Sequence, residues 1–163
     1  MALESKLAPD EPMVRVEGVN KNYFGEPVLV DINLNIPAGT NLGLIGPGGA
    51  GKSLPLKIIA GLGEPDTGED YVDGHNIQTL STTELAELRF KIGMLFQNYA
   101  LFDFMNVGEN IAFPLRQTGN FDEETIQQKV QEQLNLVGLP TIAHQYANEL
   151  SGGMKKRVSF CRA

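Results

Sequence analysis

Residues 46–53, Gly46-Pro47-Gly48-Gly49-Ala50-Gly51-Lys52-Ser53, set glycines, a lysine and a hydroxyl in the order G-x-x-x-x-G-K-S/T. The glycines let the backbone turn tightly and bring its N–H groups against an anion with no Cβ in the way. Lys52 adds a point charge suited to β- and γ-phosphates, and the Ser53 hydroxyl is placed to ligate Mg²⁺. A second stretch, Leu150-Ser151-Gly152-Gly153-Met154, precedes Lys155-Lys156-Arg157-Val158-Ser159-Phe160. Ser151 is a candidate helix N-cap, its glycines leave N–H groups exposed, and the helix dipole adds partial positive charge there. Both stretches are therefore suited to phosphate.

The flanks of the first loop have the order such a cradle needs. Asn41–Ile45 reads as a buried strand and Lys57-Ile58-Ile59-Ala60 as a helix, stopped at Gly61-Leu62-Gly63. Upstream, Val14–Glu17 and Val28–Ile36 alternate like strands, with Tyr23 and Phe24 in a turn closed by Gly25. Two short strands joined by turns predict an antiparallel sheet beside a parallel one. Tyr71-Val72 reads as a short strand, and Asp70, at a normally apolar position, predicts a local weakness or frayed edge. Ser81-Thr82-Thr83-Glu84 has the form of a capping box, opening a helix through about Phe90. Ile92–Phe96 reads as a second buried strand with Gln97 at its C-terminal end, beyond which open α/β sheets bind ligands.

From Asn98 the character is helical. Asn106 caps a helix through Ala112, and Asp122 caps a longer one through Val137. In the latter, Ile126, Val130, Leu134 and Val137 recur at spacings of three and four, the core face of an amphipathic helix.

Composition narrows the class. The chain has 163 residues, of which 42% are hydrophobic and 20% charged, as in a globular domain. A net charge of −7 argues against a nucleic-acid binder, which carries a basic footprint. The single cysteine, Cys161, excludes an internal disulfide and reads as a small apolar residue on a helix. Residues 1–12 have the composition of a disordered leader and lack the apolar segment of a signal peptide. No run approaches the ~18 apolar residues of a membrane span, so a membrane role has to come through a partner.

Taken together, these motifs resemble the ATP-binding subunit of an ABC transporter, from about Val14 to Ala163. Gly46 to Ser53 match Walker A, Gln97 the glutamine loop, and Leu150 to Met154 the LSGG signature; Tyr23 falls where the family stacks an aromatic on adenine. The resemblance implies an α/β fold: a P-loop NTPase core, with a parallel sheet and an antiparallel β-subdomain, plus an inserted α-helical lobe. It divides the chain into the leader (1–12), a nucleotide-binding core (13–97), a helical subdomain (98–150), and the signature with the start of its helix (151–163). ATP and Mg²⁺ are the implied cofactors. Lys52 and Gln97 are the implied catalytic residues, Ser53 and Gln97 the metal-binding ones. Gly46, Pro47, Gly48, Gly49, Ala50, Gly51, Lys52, Ser53 and Leu54, with Tyr23, Ser151, Gly152 and Gly153, bind the nucleotide.

The implied partners are a second copy, which closes the site as a homodimer, and an integral membrane permease docking near Gln97–Leu115, at the cytoplasmic face of the inner membrane. The strings Gly93–Gln97 and Glu109–Leu115, and the methionine after LSGG, look most like the lipid-trafficking branch linked to Mla and Mce systems. Two departures stand out. Leu54 replaces a usual Ser or Thr, which removes a hydroxyl contact to phosphate, and Pro55 follows in the first helical turn, where a missing N–H is tolerated. The apolar strand ending in Asp-Glu, and the switch histidine beyond it, have no match in these residues; His75 and His144 read as surface or turn histidines. The sequence reads as the first part of a longer subunit that, alone, binds ATP without turnover. Two other readings remain open: a soluble ABC ATPase outside transport, and a nucleotide-binding module without catalysis.

Overall fold

The alternating apolar residues of Val14–Tyr23 (β1) and Glu26–Ile36 (β2) form a hairpin in the computed structural model, which describes residues 3–163. Its turn is Phe24-Gly25, both at positive φ (53° and 85°), the twist that two-residue hairpin loops require. Thr67–Val72 (β3) and His75–Asn76 (β4) complete an antiparallel sheet in the order β2-β1-β3-β4. A helix, Ser53–Ile59 (α1), packs on it: Ile58 is buried with Val16, Val19 and Leu29, and Leu54 lies against that cluster. Each aliphatic side chain so removed from water stabilises by about 1.5–3 kcal/mol. Thr82–Arg89 (α2) starts at Ser81, where the expected capping box forms: Glu84 N–H donates to Ser81 Oγ at 3.3 Å and Ser81 N–H to Glu84 Oε2 at 2.9 Å. Leu88 of α2 is buried with Val72 and Ile77.

The chain divides into two compact units, one through Ile92 and one from Gly93. In the second, Val107–Thr118 (α3), Glu123–Leu136 (α4) and Gly152–Arg162 (α5) share a core of Ile111, Ala112, Ile126, Val130, Leu134 and Val158, among others. The stripe read on α4 is that core face, with Val137 partly buried beside it. α3 runs a turn and a half past its expected end at Ala112 and carries Pro114 inside it. Packing of Ile111, Ala112 and Leu115 into the core outweighs the lost backbone hydrogen bond.

Two expected strands form no ladder. Asn41–Ile45 and Ile92–Phe96 pair with nothing among the described residues, and Leu42, Leu44, Ile45, Leu95 and Phe96 are exposed. A parallel strand takes its hydrogen bonds from neighbours distant in sequence rather than from an adjacent hairpin arm, so apolar character alone does not pair it. Asp70 also departs from expectation. It is fully buried within β3, opposite Val16 of β1, where Gln78 satisfies part of its polarity in place of fraying. His75 is buried rather than superficial, its Nε2 2.7 Å from the Glu4 carbonyl oxygen, whereas His144 is exposed. Met1 and Ala2 of the expected leader lie outside the described residues. Further along that leader, Lys6 N–H donates to Asp73 O at 3.1 Å, Ser5 Oγ to the Asp73 carboxylate, and Leu3 packs beside Val72, Ile77 and Leu88.

Candidate functional site: a phosphate loop and a glutamine turn

The phosphate loop is built between β2 and α1 of the first unit. Ala50 N–H donates to Pro47 O at 3.4 Å and Leu54 N–H to Gly51 O at 2.9 Å, so the loop turns twice before the helix begins. Gly49 and Gly51 stand at φ 78° and 75°. A Cβ on Gly51 would meet Val28 Cγ1 at 3.0 Å, so the strand behind the loop and the backbone conformation both demand glycine there. In front of the loop there is room: nothing lies within 4 Å of a Cβ placed on Gly48 or Gly49, and residues 46–50 are exposed.

Lys52 crosses this loop. Its Nζ donates to Gly46 O at 2.8 Å and Pro47 O at 2.5 Å, which holds the ammonium over the turn. No side chain caps α1 at Lys52, and the Ser53 hydroxyl is exposed at the helix start. An open glycine turn, a cation pinned above it and a free hydroxyl fit the terminal phosphates of a nucleotide. Pro55 falls in the first turn of α1, where its missing N–H costs no helix bond.

Tyr23 ends β1 opposite Glu26, about half exposed, with Lys21 Nζ 5.7 Å from its ring centroid. Lys21 is held by Asp66 at 2.7 Å, and that ammonium, with the Asn22 backbone N–H, keeps the Asp66 carboxyl at about 2. Phe24, at the hairpin tip, is fully exposed.

In the second unit, Gln97 lies in a turn, not at a strand end: Tyr99 N–H donates to Phe96 O at 3.0 Å, with Gln97 and Asn98 between them. Ser151 caps α5 as expected, its Oγ accepting from Met154 N–H at 3.3 Å. The unit brings the Gln97 turn and α5 together: Ser159 Oγ donates to Tyr99 O at 2.8 Å, and Arg162 donates to the carbonyls of Tyr99 and Ala100. Sequence reading missed Tyr99, Ser159 and Arg162, which belong to no spacing motif. Cys161 is half-buried on α5 with its Sγ 3.5 Å from Gln133 O, and burial pushes its thiol above the usual range, as suits a packing residue.

Comparison with known proteins gives the family of the chain. The family model described as "ABC transporter" matches residues 29–163. A methionine import ATP-binding protein, MetN, of Legionella pneumophila is 44% identical over 151 residues, covering 93% of this chain and 44% of that protein. A probable ribonucleotide transport ATP-binding protein, mkl, of Mycobacterium leprae is 42% identical over 150 residues, covering 92% and 43%. The chain thus spans a little under half the length of these curated relatives. Among solved structures, the ATP-binding cassette MJ0796, in a dimeric post-hydrolysis state bound to ADP and Pi, superposes with TM-score 0.85 at 35% identity, over 92% of this chain and 68% of that one. The cbiO1 component of an ABC transporter complex from Clostridium perfringens gives TM-score 0.79 at 29% identity, over 94% and 61%. These neighbours carry the P-loop NTPase fold expected from the sequence.

The narrower likeness to lipid-trafficking ATPases finds no support in these relatives, named for methionine and ribonucleotide transport. The strings that suggested it lead into the Gln97 turn and run through the middle of α3, features that specify no substrate. With the family model covering most of its length, the chain belongs to the ABC transporter family, as an ATP-binding domain.

Proposed function

We propose that this domain binds ATP with Mg²⁺ and couples its hydrolysis to the transport of a solute through a membrane subunit. The observation that carries the proposal is the loop itself: an open glycine turn with Lys52 pinned across it and Ser53 at the helix start. Lys52 and the loop amides hold the phosphates, and Ser53 with Gln97 holds the metal ion and orients the attacking water. When bound, Mg²⁺ offsets charge on the phosphate oxygens, and positioning and electrostatics carry most of such chemistry. Tyr23 stacks on the base, with Phe24 as the rival aromatic. The Ser151–Gly153 turn of a second copy closes the site, a head-to-tail arrangement supported by the dimeric cassette among the structural neighbours. The segment Gln97–Leu115 docks the membrane subunit, which places the domain peripherally at the cytoplasmic face of the membrane. Solute choice resides in that subunit.

Titration of an ATP analogue into the parent chain and Lys52→Ala tests this reading. Losing a charge-assisted contact worth about 1.5–3 kcal/mol should weaken binding roughly tenfold to a hundredfold. Equal affinity would remove Lys52, and with it the loop, from nucleotide binding.

A further inference from the structure

Two residues beyond Gln97 the backbone enters an unfavourable conformation. Beyond the Phe96–Tyr99 turn, Ala100 N–H donates to Asn98 O at 2.6 Å, across Tyr99. Tyr99 and Ala100 both stand at positive φ, 63° and 51°. There a Cβ crowds the following carbonyl, and glycine is the residue that rests freely. Two adjacent residues with side chains keep such a conformation only when their surroundings over-determine it.

The surroundings are one helix. Ser159, buried on α5, donates its Oγ to Tyr99 O at 2.8 Å. Arg162, one turn on, donates to Ala100 O and, at 3.4 Å, to Tyr99 O, with its guanidinium 5.6 Å from the Phe102 ring centroid. The contact also reaches the other end of α5: a Cβ on Gly152, next to the Ser151 cap, would lie 3.5 Å from the Tyr99 hydroxyl. Both strained carbonyls are thus taken by α5 side chains, and the Tyr99 ring returns to the helix start.

We propose that Ser159 and Arg162 are positioning residues that hold Tyr99 and Ala100 left-handed, and thereby fix the Gln97 turn to the Ser151-capped helix. The functional step rests on the reading under Proposed function. There Gln97 serves the nucleotide on its own chain while Ser151 serves the nucleotide on the second copy. The clamp therefore sets where the Gln97 turn stands relative to Ser151.

Hydrogen exchange on the 163-residue chain without nucleotide tests the link. Ser159→Ala combined with Arg162→Met is expected to speed exchange at the Tyr99 and Ala100 amides about tenfold, with the amides of α4 unchanged. Ala100→Gly on that background should return most of the lost protection, because glycine accepts positive φ without the clamp. A residue that merely packed α5 could not be rescued from the opposite side of the contact. Unchanged exchange in the double variant, equal acceleration across α4, or no recovery with Ala100→Gly overturns the proposal. ATP affinity through Lys52 is titrated separately, so failure of the nucleotide reading is distinguishable from failure of the link.

Discussion

Asp70 and the Gln78 side-chain amide bond to each other twice: Gln78 Nε2 donates to Asp70 Oδ1, while the Asp70 backbone N–H donates to Gln78 Oε1 at 3.1 Å. Asp70 Oδ2 is buried with no partner. Burial raises the carboxyl from 3.8 to about 6, against a smaller opposing effect of the Gln78 hydrogen bond. A folded-state value above the unfolded one means that the fold favours the protonated form. That contribution is fully present below about pH 4 and is lost as pH rises through 6. A shift of this size corresponds to up to about 3 kcal/mol. Asp70→Asn removes the charge, so we expect it to stabilise the chain at pH 7 and to change little at pH 4. Urea unfolding of both chains at the two pH values gives the answer; a parallel pH dependence would show that Asp70 does not titrate within the fold.

What the sequence disclosed follows the range of the interaction. The caps at Ser81, Asn106, Asp122 and Ser151 were legible because each is decided within four residues by a side-chain oxygen and a nearby N–H. The phosphate loop was legible for the same reason. Asn41–Ile45 and Ile92–Phe96 were not, because ladder partners are non-local and an apolar run carries no record of them. Asp70 looked like a defect because its partner, Gln78, lies across the β3–β4 turn, and only the folded hairpin brings the amide onto the carboxylate. The left-handed Tyr99 and Ala100 had no signal at all, since neither is a residue type that favours positive φ.

Asn110 should matter more to stability than the cap one turn before it. Buried in α3, its Nδ2 donates to the carbonyls of Phe102, Met105 and Asn106 at 3.0–3.1 Å, and its Oδ1 accepts from Phe102 N–H at 2.8 Å. Asn110→Leu strands several backbone groups at a cost of about 1–3 kcal/mol each before relaxation, so a total loss of about 2–4 kcal/mol is expected. Asn106→Ala removes one N-cap bond, for about 1 kcal/mol. Denaturation midpoints rank the two; Asn106→Ala costing more than Asn110→Leu would contradict the account of the 102–106 segment as pinned by Asn110.

Leu54 presents a trade between packing and phosphate contact. It lies partly buried against Val16, Val19, Leu29 and Ile58, while the family resemblance places a hydroxyl at this position against phosphate. Leu54→Ser should therefore cost about 2–3 kcal/mol of stability from lost burial. It should also improve ATP affinity several-fold, through one added hydrogen bond of about 0.5–1.5 kcal/mol. Calorimetric titration beside urea unfolding separates the two effects. Weaker nucleotide binding in a variant that remains folded would place residue 54 away from the phosphates.

Ser151 tests the head-to-tail pairing of two copies, and two substitutions are needed because the residue has a structural task as well. Its Oγ caps α5 through Met154 N–H, so any loss of that acceptor weakens the helix start by about 1 kcal/mol regardless of partners. Ser151→Arg removes the cap and adds bulk where a second copy's γ-phosphate would sit. Ser151→Asp keeps a good N-cap but turns the site negative, which favours the helix dipole and repels phosphate. If Ser151 meets nucleotide bound to another copy, both variants should lose ATP-dependent self-association while each retains the parent's affinity for ATP at its own Gly46–Ser53 loop. Sedimentation velocity at saturating ATP analogue, compared with the nucleotide-free chain, reads the association. Self-association that survives in Ser151→Asp and fails only in Ser151→Arg would trace the effect to the frayed helix and remove Ser151 from the nucleotide; loss in both places its hydroxyl at the phosphate, because the aspartate differs from serine there chiefly in charge.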